Sequence, residues 1–240
     1  MKKWFNEAPQ FNITLSAEQI EQFEIYERLL LDWNSKMNLT AVRDAEGIRQ
    51  RHFLDSLTGG LIPHLDQPGL KMIDVGTGAG FPGLPLKIAF PQLELTLTDS
   101  VTRKTHFLTA VVKELGLPNV TVLADRAEDL GQSADHREKY DIALARSVAF
   151  MPVLLEYLLP LTKVGGRTIC FKGDNAPNES ADGAYAAEML GGAEPTFLEV
   201  ALPEHDRQHY LVIYNKEAET PAAYPRRSGR PLKKPLVPKK

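Results

Sequence analysis

Apolar residues recur at helical spacing through the first part of the chain. Ser16, followed three residues later by Gln19, matches a capping box, a pattern that begins many helices. The positions behind it predict a helix to about Lys36, with an apolar stripe formed by Ile20, Phe23, Leu30, Trp33 and Met37. A second helix is predicted over residues 45–57, before the glycines that end it. We therefore predict a helical N-terminal cap over residues 1–65.

From residue 71 onward, short apolar runs alternate with helical patterns. Strands are predicted at residues 72–75, 93–98, 120–123, 140–145, 167–171, 196–201 and 209–214. Helices are predicted between several of them, at residues 84–90, 104–115, 151–159 and 185–190. This alternation predicts an α/β domain over residues 66–216, with a seven-stranded, mostly parallel, doubly wound sheet and helices on both faces. The short link before the last strand predicts an antiparallel edge.

The composition excludes several classes of protein. The 240 residues are 43% apolar and 25% charged, as in ordinary soluble globular proteins. No stretch approaches the ~18 uninterrupted apolar residues of a membrane span, and the start of the chain lacks the apolar core of a signal peptide. The single cysteine, Cys170, excludes a disulfide framework, argues against a metal site and is predicted to be a small core residue. We expect a cytoplasmic protein that contacts no membrane and binds no metal.

The net charge of -3 conceals a difference between the body and the C-terminus. Residues 226–240 carry seven basic and no acidic side chains, whereas the first 225 residues carry 21 basic and 31 acidic ones. Four prolines between residues 225 and 238 disfavour a helix, so we predict an extended basic tail over residues 217–240. Such tails contact nucleic acid phosphates or simply keep a protein soluble, and charge alone favours neither interpretation.

A glycine-rich loop follows the first strand. Residues 74–83 read DVGTGAGFPG, and four glycines within eight residues permit a sharp turn and the close approach of a ligand to the backbone. The last six residues match the dinucleotide-binding pattern GxGxxG. Gly76, Gly78 and Gly80, preceded by Asp74, instead match the GxGxG loop of enzymes that use S-adenosylmethionine. The loop predicts a nucleotide-like ligand and leaves both choices open.

Asp99 ends the second strand, 19 residues after Gly80. In a doubly wound sheet, a carboxylate at this position accepts hydrogen bonds from ribose hydroxyls, which both cofactors contain. Two observations favour the methyl donor: some 70 residues of helical sequence precede the loop, and no second domain for a hydride acceptor is evident. A nicotinamide-dependent oxidoreductase and a non-catalytic RNA-binding module are the alternatives.

Several short motifs between Trp33 and Tyr214 together resemble one family. They are NLT at 38–40, His52 with DSL at 55–57, the glycine-rich loop at 74–83, TDS at 98–100, RAE at 126–128, ARSV at 145–148 and FKG at 171–173. On these residues the chain resembles the bacterial 16S rRNA guanine-N7 methyltransferases, also called glucose-inhibited division protein B. The ending at 224–236 resembles that of many members from Gram-positive lineages. Ser147 departs from the pattern, since we expect alanine there.

The resemblance implies a Rossmann-like methyltransferase fold, with S-adenosyl-L-methionine as cofactor and S-adenosyl-L-homocysteine as product. It implies that the donor is bound by Asp74, Gly76, Gly78, Gly80, Phe81, Asp99, Ser100, Ala127, Glu128 and Arg146. Among these, Ala127 and Glu128 are expected to meet the adenine. Arg146 is expected at the carboxylate end of the donor or between donor and RNA, since a guanidinium grips either anion with two hydrogen bonds.

The same resemblance implies a monomeric enzyme whose partner is the 16S rRNA of the small ribosomal subunit. The expected RNA contacts are Arg126, Lys172, Arg226, Arg227, Arg230, Lys233 and Lys234. Four side chains are expected near the cleft: His52, Asp55, Arg146 and Lys172. His52 and Asp55 share a helix face with Arg49, and a surface pair is the plainer interpretation of that face. For Lys172 the plainer interpretation is a solvated lysine.

Methylation of guanine N7 requires no general base, because its lone pair is free in the neutral base. Holding N7 in line with the methyl group then supplies much of the catalysis, ~7–11 kcal/mol in favourable intramolecular reactions. We therefore assign no catalytic residue. The cluster at residues 205–209 has no metal-type spacing and is predicted to be a polar hairpin turn.

Overall fold

The computed structural model describes residues 4–202 and 208–238. Within these ranges the strands are β1 (Lys71–Val75), β2 (Glu94–Thr98), β3 (Val120–Leu123), β4 (Tyr140–Arg146), β5 (Thr162–Lys172), β6 (Thr196–Val200) and β7 (His209–Asn215). The α-helices are α1 (Ala17–Met37), α2 (Ala45–Ile48), α3 (Asp55–Leu57), α4 (Gly83–Ala89), α5 (Thr102–Glu114), α6 (Ala127–Gln132), α7 (Met151–Leu158), α8 (Ala176–Met189) and α9 (Arg230–Lys233). The other helical segments are the 3-10 helices Trp4–Phe11 and Thr58–Leu61 and the π-helical Arg49–Leu54.

The strands form one seven-stranded sheet with the order β3-β2-β1-β4-β5-β7-β6. β4 runs parallel to β1 and β5, and β2 runs parallel to β3. β7 is antiparallel to both β5 and β6, which confirms the predicted antiparallel edge. Because parallel crossovers are right-handed, strands that lead away from β1 in two directions carry helices on both faces of the sheet. The predicted fold class is therefore confirmed.

The first of two compact units comprises Met1–Leu70 and Thr77–Ala124. Its longest helix, α1, begins as predicted at a capping box: Ser16 Oγ accepts from Gln19 N at 3.2 Å, and Gln19 Oε1 accepts from Ser16 N at 2.8 Å. α1 buries Phe23, Tyr26 and Leu30. The apolar stripe thus holds α1 in the core of this unit, although its sequence pattern did not include Tyr26.

The second predicted helix is present but is not uniform. Asp44 caps α2 through a 2.7 Å hydrogen bond from Gly47 N to its Oδ1. The backbone then passes through the π-helical Arg49–Leu54 into α3 without a break. One π turn offsets the side chains after it relative to an ideal α-helix, and such turns are frequent at functional sites.

The second unit comprises Lys71–Gly76 and Asp125–Lys240. Its core is formed by apolar residues of the central strands and of α7, all less than 2% exposed: Ile142, Leu144, Val153, Leu155, Ile169 and Val212. α7 packs against both α6 and α8. Three elements of this unit, α6, α8 and β5, differ from the sequence prediction.

α6 was not predicted, because its six residues offer only Ala127 and Leu130 as apolar positions. α8 begins at Ala176 rather than near residue 185, since polar residues in its first turns hide the helical pattern. β5 begins at Thr162, whereas the predicted strand begins at residue 167. The pairing of β4 and β5 shifts register before Arg167, so Gly165 and Gly166 lie in a bulge inside the strand.

The C-terminal segment is folded against the second unit through residue 238. Pro225, Pro231 and Leu236 are buried, and Arg230–Lys233 form the short helix α9. The prediction of an extended tail without a helix is therefore wrong for these four residues. Prolines are compatible with this outcome because Pro231 occupies the first turn of α9, where no internal hydrogen bond is lost.

The two units do not coincide with the predicted segments 1–65, 66–216 and 217–240, which follow secondary structure; those boundaries stay a prediction. No helix in the described part of the chain combines the length and apolar character needed to cross a membrane. The predicted turn at 205–209 lies mainly outside the described residues.

Candidate functional site

The glycine-rich loop turns tightly in the first unit. Thr77 N donates to Thr98 O at 3.1 Å, and Thr77 O accepts from Gly80 N and Phe81 N at 2.9 Å each. Gly80 has a φ of +102°, and a Cβ there would lie 2.5 Å from Leu84 Cδ1. Any larger residue would therefore clash as well as strain the backbone. By contrast, a Cβ on Gly78 would meet no atom of the described residues within 4 Å, so among them the space beside this glycine is open.

Asp99 holds this loop through its carboxylate. Oδ2 accepts a hydrogen bond from Gly78 N at 3.1 Å, and Oδ1 accepts one from Val101 N at 2.9 Å. Lys104 Nζ lies 3.2 Å from Oδ2, and Asp99 is only 5% exposed. The Asp99 carboxylate therefore lies against the loop, beside Lys104, which the sequence analysis did not single out. Ser100, the next residue, is exposed.

α1 supports the same loop from the N-terminal region. The buried hydroxyl of Tyr26 donates a hydrogen bond to Ala79 O. The Tyr26 ring also stacks on Phe81, with 5.6 Å between ring centroids. Tyr26 was missed by the sequence analysis, because nothing local marks one aromatic residue of a helix as a loop contact.

His52 lies against Phe81 of the glycine-rich loop. The two rings stack with centroids 4.5 Å apart. The His52 Nδ1 lies 3.1 Å from Arg51 O and therefore donates, so in the neutral ring Nε2 accepts from the Thr40 hydroxyl at 2.7 Å. Asp55 is 9% exposed, whereas Arg49 makes two hydrogen bonds with Glu27. That pairing raises the pKa of Arg49.

In the second unit, Asp74 lies near the end of β1 and Gly76 directly follows the strand. Asp74 is fully buried. Gly76 has a φ of +67°, and a Cβ there would lie 2.7 Å from Val148 Cγ2. Glycine is thus required at this position for both conformation and space.

Arg146 and Lys172 end the neighbouring strands β4 and β5. Arg146 is half-buried, and Ser147 after it is exposed with a φ of +58°. A serine in the left-handed region is uncommon, and such residues cluster at functional sites. Lys172 Nζ donates to Ala149 O at 2.9 Å and to Glu179 Oε2 at 2.6 Å. These internal partners compete with the predicted phosphate contact of Lys172.

α6 carries the predicted Ala127 and Glu128 in its first turn, and both are less than 9% exposed. Glu128 Oε1 accepts a 2.8 Å hydrogen bond from Gly229 N, and Asp129 Oδ1 accepts one of 2.8 Å from Ser228 Oγ. Arg126, which precedes the helix, is exposed. The structure therefore joins two features that the sequence analysis kept apart, α6 and the C-terminal segment.

The predicted tail cations divide into two groups. Arg226 is bound to Glu156 of α7 by hydrogen bonds of 2.8 Å from Nε and 2.6 Å from Nη2, and Glu156 is completely buried. This pairing raises the pKa of Arg226 and commits its guanidinium to the fold. The other four cations are exposed: Arg227, Arg230, Lys233 and Lys234.

Two further observations concern a possible nucleophile and possible metal ligands. Cys170 is completely buried, and desolvation raises the pKa of its thiol to about 12, which confirms a core residue and excludes a thiolate nucleophile at neutral pH. Across residues 4–202 and 208–238, no three His, Cys, Asp or Glu side chains lie together as a metal site requires.

Comparison with known families gives one match over most of the chain. The model of the family described as rRNA small subunit methyltransferase G matches residues 19–209. A relative named ribosomal RNA small subunit methyltransferase G, from Acetivibrio thermocellus, is 46% identical over 230 residues, covering 96% of this chain and 94% of the relative. One from Alkaliphilus metalliredigens is 48% identical and covers 92% of each chain.

Solved structures share the fold at low sequence identity. The CurJ carbon methyltransferase matches with a TM-score of 0.53 and 13% identity, over 73% of this chain and 56% of that one. The S-adenosylmethionine-dependent methyltransferase SibL matches with a TM-score of 0.51 and 17% identity, over 65% of this chain and 53% of that one. These similarities concern the fold alone.

Proposed function

Because the chain belongs to the rRNA small subunit methyltransferase G family, we propose that it transfers a methyl group from S-adenosylmethionine to N7 of a guanine in 16S rRNA. The nicotinamide alternative has no support from this family. The alternative of a non-catalytic RNA-binding module is distinguished from the enzyme by the methyl-transfer experiment below.

The first-unit residues fit the methyl donor. Beside Gly78 there is open space, and the Asp99 carboxylate lies at the edge of the loop. A carboxylate only accepts hydrogen bonds, so it suits the ribose hydroxyls of the donor. We propose that the Asp99 carboxylate accepts hydrogen bonds from the ribose and that Lys104 moves away from it when the donor binds. The backbone at Gly78 and Gly80, the Phe81 ring and Ser100 complete this set of donor contacts.

The second-unit residues supply complementary chemistry. Glu128 presents a carboxylate that suits the amino group of adenine, and Ala127 offers its backbone. Arg146 suits the donor's carboxylate or an RNA phosphate. Asp74, near the end of β1, and Gly76, directly after the strand, lie at the start of the loop. We propose these roles residue by residue, each open to its own substitution test.

The proposed reaction requires little from the protein beyond binding and orientation. S-adenosylmethionine, when bound, supplies a methyl group on a positively charged sulfur. Guanine N7 is uncharged and carries a free lone pair, so no residue has to remove a proton. His52 has both ring nitrogens engaged by Thr40 and Arg51, which suits a residue that shapes the loop rather than one that transfers protons. We therefore propose that His52 and Asp55 hold Phe81 and their own helical segment in position.

Four exposed cations of the C-terminal segment extend the proposal to RNA. Arg227, Arg230, Lys233 and Lys234 lie within eight residues of one another, free to approach phosphates. Arg126 is exposed as well, at the start of α6. We propose these five as phosphate contacts and leave out Arg226, whose guanidinium is paired with Glu156. Lys172 contributes only if its pair with Glu179 opens.

The match of the family model over residues 19–209 carries this proposal. The test uses small-subunit RNA and small subunits from cells that lack the protein, incubated with labelled S-adenosylmethionine and then digested to nucleosides. Label in 7-methylguanosine supports donor, reaction and atom together. Label in another nucleoside would overturn the N7 assignment but keep the enzyme class. RNA binding without label in any substrate would favour the non-catalytic module.

Oligomeric state and location complete the proposal. We propose a monomer that acts in the cytoplasm, where small subunits are assembled. Sedimentation of the purified protein with and without RNA tests the first point. A stable dimer at micromolar concentration would contradict it.

A further inference from the structure

We propose that the turn formed by Ser228 and Gly229 positions Glu128, so that the C-terminal segment contributes to binding of the donor's adenine. This inference rests on the proposed function, which assigns adenine to Glu128. It adds a role that the tail's charge does not suggest: contact with α6 rather than with RNA.

The two carboxylate oxygens of Glu128 differ in their hydrogen bonds. Oε1 accepts the hydrogen bond from Gly229 N at 2.8 Å. Oε2 accepts none from any residue within 4–202 or 208–238. The residue is 4% exposed, so its side chain has little freedom. One oxygen is thus anchored by the backbone of the tail, while the other can accept a hydrogen bond from a ligand.

A second hydrogen bond fixes the turn on the same helix. Ser228 Oγ donates to Asp129 Oδ1 at 2.8 Å, so consecutive residues of the tail bind consecutive residues of α6. Gly229 has a φ of +77°, which directs its N–H toward Glu128 in a conformation that glycine adopts readily. The pairing aligns the carboxylate rather than merely covering it.

The turn itself is anchored on both sides. Before it, Arg226 pairs with the buried Glu156, and a Cβ on Gly131 would lie 2.7 Å from Pro225, which shows close packing against α6. Gln132 Nε2 also donates to Pro225 O at 2.7 Å. After it, Pro231 and Leu236 are buried. The turn is therefore held by contacts independent of any bound RNA.

A carboxylate distinguishes purine ligands by the group at position 6 of the ring. Oε2 can accept from the 6-amino group of adenine but repels the 6-oxo group of hypoxanthine. A correctly oriented Glu128 should therefore favour S-adenosylhomocysteine over S-inosylhomocysteine. Loss of orientation should reduce that preference, whereas a general loosening of the fold would weaken both ligands alike.

The experiment measures both affinities by calorimetry without RNA. The first variant ends at Arg226, which keeps the pair with Glu156 but removes the turn. The matched control keeps the whole segment and replaces Arg227, Arg230, Lys233 and Lys234 with glutamine. We expect the truncated chain to bind S-adenosylhomocysteine about tenfold more weakly, with S-inosylhomocysteine changed by less than about threefold. The charge control should retain both affinities and lose RNA affinity.

A Glu128→Gln variant separates failure of this inference from failure of the proposed function. Glutamine still accepts from Gly229 N but can donate to hypoxanthine, so the preference should shift toward the inosine compound. No shift would overturn the adenine assignment to Glu128. A shift with Glu128→Gln, but equal preference in the wild-type and truncated chains, would overturn the positioning role of the turn.

A measurement on the full chain avoids reliance on the truncation's folding. We expect S-adenosylhomocysteine to slow hydrogen exchange at Gly229 N–H about tenfold, because ligand binding and the turn stabilise the same carboxylate orientation. The amide of Gly165, far along the chain in β5, serves as a reference. Unchanged exchange at Gly229 with saturating ligand would contradict the proposal.

Discussion

The hydroxyl of Tyr26 in α1 donates a hydrogen bond to the carbonyl of Ala79 in the glycine-rich loop. The two residues are 53 positions apart in sequence. Tyr26 also lies where a Cβ on Gly80 would meet it, 2.6 Å from its hydroxyl oxygen. The N-terminal helices are thus part of the support for the loop, not a separate appendage.

Removal of the Tyr26 hydroxyl should destabilise the loop conformation without creating a cavity in the core. Tyr26→Phe keeps the ring contacts with Phe81 but leaves the Ala79 carbonyl without this donor, at a cost of about 1–3 kcal/mol. We expect lower stability in denaturant and weaker S-adenosylhomocysteine binding. Tyr140→Phe, which removes a 2.7 Å hydrogen bond to His136, is the control and should lose stability only. Equal donor affinity in both variants would contradict a role for Tyr26 in the loop.

Asp99 should be required for donor binding through its charge. Asp99→Ala removes the acceptor of Gly78 N and, as we propose, of the ribose hydroxyls, so we expect S-adenosylhomocysteine affinity to fall by about 10–100-fold. The affinity of Asp99→Asn for S-adenosylhomocysteine should lie between those of Asp99→Ala and wild type. Lys104→Met removes only the ion pair and should bind the ligand at least as well as wild type. Wild-type affinity in Asp99→Ala would exclude the ribose assignment.

The pair between Glu156 and Arg226 should be structural. Arg226→Gln leaves a fully buried carboxylate without its cation, which typically costs about 3–5 kcal/mol. We expect a strongly lowered midpoint of chemical denaturation. Adding Glu156→Gln removes the buried charge and should restore part of the loss. Arg227→Gln, on the exposed neighbour, should leave stability unchanged, and a similar loss there would argue against the pair as the cause.

Stability should depend on pH through Lys216. Its amine is fully buried and donates to Leu159 O and Leu190 O, and desolvation lowers its pKa to about 8 despite attraction from Glu138. Between pH 8 and 10.5 the unfolded chain therefore holds this proton more often than the folded one. The contribution of Lys216 to the unfolding free energy should rise with pH in that window, by at most about 1.4 kcal/mol per pH unit.

The comparison for this pH effect is Lys216→Met, measured by denaturation at pH 7.5, 8.5 and about 9.5. The difference between wild type and variant should grow in favour of wild type as pH rises. Residues such as Cys170, whose thiol pKa is raised, contribute to both proteins and cancel in the difference. A constant difference would show that Lys216 does not titrate in this range.

RNA binding should depend on salt through the exposed tail cations. For single-stranded RNA, each phosphate contact contributes roughly 0.7 to the slope of log affinity against log salt concentration. Replacing Arg227, Arg230, Lys233 and Lys234 with glutamine should reduce that slope by at most about 3. Titration at several potassium concentrations measures it. The same slope in the variant would exclude the segment as an RNA contact.

Local patterns accounted for much of the fold. The capping box at Ser16, the approximate positions of the seven strands along the chain and the glycine-rich loop all depend on residues close together in sequence, so sequence reasoning located them. The family prediction rested on the spacing of such motifs and was confirmed by the match over residues 19–209. Short or polar elements such as α6 gave too weak a pattern to be recognised.

The role of each charged side chain was decided by tertiary structure. Lys172 and Arg226 looked like phosphate contacts, but Glu179 and the buried Glu156 engage them. The charge of the tail was evident from sequence, whereas its packing was not, because Gly229 reaches Glu128 across 101 residues. Sequence by itself determined most of the elements, the loop and the family, since these depend on patterns of residues close together in the chain. Partners far apart in the chain depend on how the elements pack, and only the fold determines that.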